Sequence, residues 1–195
     1  MRILPLALLL LATPLFAQGT PEASAAKSGS YKADKNHTQV AFTVTHFGFS
    51  LYNGMFGNIT GALTLDTAAP AKSKVSIDIP LADVVTTVAK LNEHLQSADF
   101  FDVAKFPTAH FESTSIVASG TTARISGNLT LHGVTKPVVL EARFIGAGGN
   151  PMSKIETIGF SATTSIKRSD FGITKLVPMV TDQVDLRINA AFEKI

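Results

Sequence analysis

Few residues in this sequence have the type and spacing needed for covalent or acid–base chemistry. Cysteine is absent, which excludes disulfides, thiolate nucleophiles and Cys-ligated zinc. The five histidines are His37, His46, His94, His110 and His132. No two are spaced as a metal pair on one helix face or in one short loop, so we predict no metal site. His46, His94 and Asp170 remain as candidate acid–base groups for an enzyme acting on a lipid or small acid.

The motifs of larger catalytic and cofactor sites are absent as well. The chain has no G-x-S-x-G, H-E-x-x-H, Walker loop or dinucleotide fingerprint, and no nucleophile beside a base, so we expect no cofactor. Seventeen basic and fifteen acidic residues leave a formal charge of +2, which is too small an excess to bind a phosphate backbone. Nucleic acid is therefore not an expected partner.

The N-terminus of the 195-residue chain has the pattern of a secretory signal peptide. Arg2 supplies a positive charge, residues 3–11 form an apolar run, and Ala17 is a small residue at the expected cleavage site. The run is shorter than the roughly 20 residues that a membrane anchor needs. We therefore predict a signal peptide over residues 1–17, an exported mature chain and no integral membrane span.

The mature chain divides into a short leader and one domain. Residues 18–30 (QGTPEASAAKSGS) are small and polar, which predicts a flexible leader. Residues 31–195 contain no second linker and no repeat. A domain of this size buries roughly 70% of its chain surface, which is enough for a substantial core.

Apolar and polar residues alternate through most of the domain, which indicates half-buried β-strands. The alternating segments are residues 40–46, 56–65, 75–81, 108–116, 124–131, 138–144, 157–166 and 184–192. One segment, residues 87–97, has apolar residues at helical spacing instead. The pattern predicts an all-β fold of about eight antiparallel strands with one short helix. Alternation alone does not separate a barrel from a sandwich.

Four short strings are more specific than this pattern. They are residues 34–37 (DKNH), 94–102 (HLQSADFFD), 127–137 (GNLTLHGVTKP) and 168–172 (RSDFG). Together they resemble the YceI-like family of exported bacterial proteins, in order and over residues 31–195. Asn92, Glu93 and Gln96 replace the basic or acidic residues that are more usual at these positions around the helix His-Leu pair.

The resemblance implies an eight-stranded antiparallel, lipocalin-like barrel that binds a polyisoprenoid or related long-chain amphiphile in its lumen. It also implies an exported, periplasmic location. The candidate lumen residues are those on the apolar side of the alternation, together with one histidine of the same parity: Phe42, Val44, His46, Val75, Ile77, Ile79, Ile125, Leu129, Leu140, Phe160, Val184, Leu186 and Ile188. Each of these could equally fill an ordinary core, and His46 could be a hydrogen-bonded core histidine.

Residues 173–180 (ITKLVPMV) are apolar and precede the last strand, so they form either a lid over the barrel mouth or an extension of that strand. Nearby cations could contact a polar head group, since Arg pairs with phosphate in a bidentate way. Alternatively, Arg168 and Asp170 form a structural ion pair. The candidate mouth and head-group residues are Lys167, Arg168, Asp170, Phe171, Lys175, Leu176 and Met179.

The leading hypothesis is a periplasmic carrier of a polyisoprenoid, without bond chemistry. The alternatives are the enzyme described above and a purely structural adhesion-type β domain, for which the lumen would be too narrow for any ligand. Whether two copies pair through a sheet edge stays open.

Overall fold

The computed structural model of the protein describes residues 19–195, so the predicted signal peptide, residues 1–17, lies outside the described residues. The described part of the chain forms mostly β-strands, with one α-helix, α1 (Ala89–Gln96). The strands are β1 (Gly29–Ala33), β2 (Gln39–His46), β3 (Ser50–Phe56), β4 (Thr60–Leu65), β5 (Lys74–Pro80), β6 (Val84–Val85), β7 (Thr108–Ser119), β8 (Thr122–Leu131), β9 (Val134–Gly149), β10 (Glu156–Lys167) and β11 (Gln183–Lys194).

All strand pairs are antiparallel, and the sheet closes on itself. The order is β1-β4-β5-β7-β8-β9-β10-β11, and β11 pairs with β1. After short breaks in the chain's strands, β2 continues β1, β3 continues β4 and β6 continues β5. β2 pairs with β11 and β3, and β6 pairs with β3. The result is a closed eight-stranded barrel with one helix, which confirms the predicted fold class and decides against a sandwich.

The break between β1 and β2 is stabilised by hydrogen bonds within residues 34–37 (DKNH). Asp34 accepts hydrogen bonds from the backbone of Asn36 (3.0 Å) and from Nδ1 of His37 (2.6 Å). Burial acts to raise the pKa of Asp34, but these hydrogen bonds outweigh it and hold the pKa below its usual range. Thr38 Oγ1, which is buried, bonds both the carbonyl and the amide of Ala191 on β11. The kinked strand therefore stays attached to its neighbour.

The barrel has two ends of different construction. The hairpin end is formed by the turns 66–73, 120–121 and 150–155. The plugged end is formed by residues 86–107, which include α1, and by residues 168–182. Strand β6 does not pair with β7, and the plug segment closes the gap there, with the amide of Leu81 donating to the carbonyl of Pro107 at 2.9 Å.

The helix in the plug is shorter than the predicted span, 87–97. Val88 has an extended backbone at the N-cap (φ −125°, ψ 108°), and the helix begins at the next residue. This fits the β-branched run before it, since such residues lose χ1 freedom in a helix.

Residues 19–28 lie against the barrel, although the sequence predicted a flexible leader. Thr20 exchanges two backbone hydrogen bonds with Ala147 of β9, each 3.0 Å. Ala25 and Ala26 pack on the apolar cluster that contains Tyr31 and Phe192. Residues 29 and 30, also within the predicted leader, belong to β1. Among residues 19–195, no helix is long and apolar enough to cross a membrane.

Candidate ligand-binding lumen

The barrel interior contains two apolar cavities. The larger, of about 300 Å³, reaches the hairpin end, and the smaller, of about 150 Å³, lies at the plugged end. The predicted lumen residues that line the larger cavity are Val75, Ile77, Ile125, Leu140, Phe160 and Ile188. Those that line the smaller cavity are Phe42, Val44, Ile79, Leu129, Val184 and Leu186. Both cavities also contact Val40.

The larger cavity exists because small side chains lie next to one another across four strands. Strand pairing joins Ala118 to Ala123, Ala123 to Ala142, and Ala142 to Ala162, and all four residues line the cavity. Alanine side chains on neighbouring strands leave space that branched residues would fill. Hydrophobic alternation does not reveal this row, because alanine gives little signal of which face of a strand is buried.

Two glycines make room for phenylalanine rings along the barrel wall. A Cβ on Gly54 would overlap the Phe42 ring, and a Cβ on Gly127 would overlap the Phe111 ring. Each ring therefore lies against glycine backbone. Glycines inside strands often mark a close approach of another group, but they do not indicate which group it is.

The smaller cavity is closed by the plug and by residues 173–180. Leu95, Phe100 and Phe101 of the plug line it, as do Ile173 and Val180. Phe101 packs edge-on against Phe56 of β3, with ring centroids 5.6 Å apart. Residues 173–180 form a loop rather than a strand extension, apart from a single bridge between Val180 and His46. The loop therefore covers this end of the barrel, as the lid alternative predicted.

A family model of the YceI-like domain matches residues 31–192. The chain belongs to the YceI-like family. It is 42% identical over 170 residues to a UPF0312 protein of Azotobacter vinelandii, covering 86% of this chain and 88% of that protein. It is 39% identical over 186 residues to a UPF0312 protein of Pseudomonas aeruginosa, covering 94% of each.

Solved structures of similar fold include members of the YceI-like family. BcnA of Burkholderia cenocepacia matches with a TM-score of 0.73 at 22% identity, over 82% of this chain and 98% of that one. The Campylobacter jejuni YceI protein matches with a TM-score of 0.66 at 28% identity, over 77% and 90%. A polyisoprenoid binding domain of Saccharophagus degradans matches with a TM-score of 0.62 at 15% identity, over 87% and 100%.

In this YceI-like domain, Arg168 has a different role from the two that the sequence suggested. Its side chain is buried, 6% exposed, and donates to the carbonyls of Ile173, Lys175, Val180 and Thr181. Burial lowers the pKa of the guanidinium, and the nearby Asp182 acts in the opposite direction. The guanidinium is thus neither free for a head group nor paired with Asp170, because its donors hold the lid loop.

The other predicted mouth residues are dispersed over the plugged end. Lys167 and Asp170 are exposed and border a groove on the outside of the barrel. Phe171 is a core residue, 1% exposed. Lys175 pairs with Asp99 of the plug at 3.1 Å. Leu176 is half-buried, and Met179 is half exposed. The structure therefore does not bring these residues together around a cavity mouth.

The three candidate acid–base groups do not form a catalytic set. His46 is exposed at the last residue of β2, outside both cavities, and its ring packs edge-on against Phe47. The prediction of a lumenal His46 is therefore wrong. His94 pairs with Asp99 (3.2 Å), as expected for a helix residue that bonds the following loop, and no hydrogen bond joins it to His46 or Asp170 in the described residues. Residues 19–195 contain no group of three or more His, Asp or Glu side chains arranged for a metal.

Proposed function

We propose that the protein is a periplasmic binding or carrier protein that holds the apolar chain of a polyisoprenoid, or a similar long-chain amphiphile, inside the barrel. No bond is made or broken. The observation that carries the proposal is the lumen itself: two cavities of about 300 and 150 Å³ lined mainly by apolar side chains. The polyisoprenoid binding domain of Saccharophagus degradans, which has the same fold, supports this ligand class.

The chemistry of the lining matches that of a polyisoprenoid. Such a chain gains roughly 0.8 kcal/mol for each methylene-sized group that leaves water, so each five-carbon unit gains roughly 4 kcal/mol before ordering costs. The smaller cavity contains one charged residue, Arg168, whose donors are already used by carbonyl groups. An apolar chain therefore leaves no charge unsatisfied when it occupies the smaller cavity.

The periplasmic location rests on the N-terminal sequence. Arg2, the apolar run 3–11 and Ala17 form the pattern of a cleaved signal peptide. Residues 19–28, which follow the expected cleavage site, pack on the barrel, so the mature chain would begin close to folded structure. N-terminal sequencing of the protein from a periplasmic extract checks the cleavage site.

The first test is to identify what the protein carries. The full chain is expressed in a bacterium that exports it, purified without detergent, extracted with organic solvent and examined by mass spectrometry. We expect a long-chain isoprenoid in a near one-to-one ratio with protein. A blank extract that stays blank after incubation with polyprenol would exclude the proposed function.

A variant with a filled lumen provides a control for surface-bound lipid. A142L/A162L adds two branched side chains to the alanine row, and A41L adds one to the outside of β2, where Ala41 borders an outer groove. We expect the lumen variant to lose the lipid and A41L to keep it, with circular dichroism confirming that both are folded. Equal lipid content in the two folded proteins would contradict a lumenal site.

A further inference from the structure

We propose that the ligand enters and leaves through the hairpin end, beneath residues 19–28, and that its polar end group lies there. We call residues 19–28 the strap. This inference rests on the proposed function. The larger cavity, about 300 Å³, is at the lower end of the roughly 300–1,000 Å³ range of ligand pockets, so a long chain must extend towards one end of the barrel. The two ends differ greatly in how firmly they are closed.

The plugged end is closed by buried contacts. Three carbonyls of the lid loop and that of Thr181, the next residue, accept hydrogen bonds from Arg168, which lies beneath them. Lys175 joins the loop to Asp99 of the plug, and Phe100 and Phe101 pack beneath it. Opening this end would break the hydrogen bonds of Arg168 and expose several apolar side chains to water, and the exposed apolar surface is costly.

The hairpin end is covered by the strap, which is attached mainly at its two ends. Thr20 exchanges its two backbone hydrogen bonds with Ala147 on one side of the barrel. Near the other end, Lys27 forms an ion pair with Glu156, and Ser28 bonds to Thr67 of the 66–73 turn at 2.8 Å.

Between these anchors, Ala23 and Ala26 line the larger cavity. Their side chains are small, so the strap itself contributes little apolar surface when it lifts. Segments with few buried contacts open locally at low free energy, and chain ends do so most readily. The strap therefore is the part of the barrel that can open without unfolding.

Polar groups are also distributed unequally between the two cavities. Thr121, Thr122 and Arg143 line the larger cavity near the 120–121 turn. Within residues 19–195, Arg168 is the one polar residue that lines the smaller cavity, and its guanidinium is bonded to carbonyls. A ligand with its polar end at the hairpin end places that end beside the polar residues of the larger cavity and its apolar chain in the apolar smaller cavity.

Two engineered disulfides, one at each end, test this route, and the absence of native cysteine makes them specific. T20C/A147C would lock the strap to β9. T45C/T181C would lock the lid to β2, where the amide of Thr181 donates to the carbonyl of Thr45 at 3.0 Å. Paired residues in antiparallel strands have Cα atoms about 5.5 Å apart or closer, within the range of a disulfide. Thiol titration checks that each bond has formed.

The measurement is the exchange of radiolabelled polyprenol between the protein and phosphatidylcholine vesicles, with and without reductant. We expect oxidised T20C/A147C to exchange at least about tenfold more slowly, as for an added barrier of about 1.4 kcal/mol, and to recover on reduction. T45C/T181C should exchange at the wild-type rate in both states. Slow exchange in the lid-locked protein, or an unchanged rate in the strap-locked one, overturns the proposed route.

A variant with a loosened strap keeps the test decisive if the disulfide does not form. In T20P/K27A, the proline removes the N–H that bonds Ala147, and the alanine removes the ion pair with Glu156. We expect faster exchange than in wild type, and a rate that does not rise contradicts the strap as the gate.

Equilibrium binding of polyprenol to reduced protein separates the two proposals. If nothing binds, the proposed function itself fails, and with it this route. If polyprenol binds but the locks have no effect, the route alone is wrong.

Discussion

Nη1 of Arg168 donates a hydrogen bond to the backbone carbonyl of Lys175 at 2.7 Å. Both residues were predicted to contact a ligand head group through their charges, yet one holds the other's backbone. The guanidinium has five N–H donors in a planar fork, and it uses them on carbonyls that the lid loop would otherwise leave without partners. Arg168 therefore acts as the internal support of the plugged end.

We predict that R168M strongly destabilises the protein. The change leaves four carbonyls without their donor, and a buried unsatisfied group costs about 1–3 kcal/mol. Because the loop can partly relax into water, we expect a loss of about 3–5 kcal/mol in the free energy of unfolding. Urea titration followed by circular dichroism measures it.

The neighbouring residue provides the control for R168M. Lys167 is exposed, and K167M should change the free energy of unfolding by less than about 0.5 kcal/mol. R168K keeps the charge but not the fork, so it should remain well below wild type in stability. If R168M were as stable as K167M, the assigned role of Arg168 would be wrong.

Strand alternation predicted the lumen well because burial in a barrel follows residue parity. Twelve of the residues on its apolar side line the two cavities, Phe42 and Ile188 among them. It did not place His46, which keeps the parity of its strand but lies at the last residue, where the strand leaves the barrel. It also did not place Arg168, because the chain leaves β10 there and turns inward in a 3-10 helix.

The features that create the cavity were not predictable from hydrophobicity. The alanine row depends on the register of four strands, which joins Ala123 to Ala142 and Ala142 to Ala162. A shift of one residue in any pair would move one alanine to the outside. The strap was missed for a related reason: its small polar residues resemble a linker, and its order comes from long-range pairing with Ala147.

We predict that G54A destabilises the barrel by about 1–3 kcal/mol, the usual cost of overpacking. The new Cβ would occupy the position of the Phe42 ring, which would have to turn into the smaller cavity. Thermal unfolding should show a melting temperature lower by several degrees, since about 1 kcal/mol corresponds to 2–4 °C for a chain of this size.

A second glycine and a double variant test the cause. Gly57 has nothing within 4 Å of where its Cβ would be, so G57A should leave the melting temperature nearly unchanged. The double variant F42L/G54A should lose less stability than the sum of the losses in F42L and G54A, because leucine at position 42 removes the clash with the new Cβ. Additive effects would contradict the ring-on-glycine packing.

Acid should weaken the contact between Ser169 and Asp182. Asp182 accepts hydrogen bonds from the hydroxyl (2.7 Å) and the amide (2.8 Å) of Ser169, and these hold its pKa below its usual range. A carboxyl with a lower pKa in the folded state stabilises the fold above its unfolded pKa of about 3.9, and this contribution disappears as the pH falls through the folded pKa.

We therefore predict that S169A lowers stability by about 1 kcal/mol at pH 7 and by much less at about pH 2. Melting temperatures of wild type and S169A across this range measure the difference. D170N is the control, because Asp170 is exposed and its side chain makes no hydrogen bond or ion pair within residues 19–195, so its melting temperature at pH 7 should lie close to that of wild type. A constant gap between wild type and S169A at all pH values would contradict the prediction.

If the polar end of the ligand lies at the hairpin end, the plugged end sets the longest chain that fits. Leu186 and Ile188 lie two residues apart on β11, with Leu186 lining the smaller cavity and Ile188 the larger. L186A and I188A each remove similar bulk and should cost a similar 2–5 kcal/mol of stability. We predict that L186A retains longer isoprenoid chains than wild type, because the chain terminus gains space. In I188A the chain should gain width beside it rather than length, so mass spectrometry of the bound lipid should find the wild-type distribution. A shift to longer chains in I188A alone would mean that the chain terminus lies in the larger cavity.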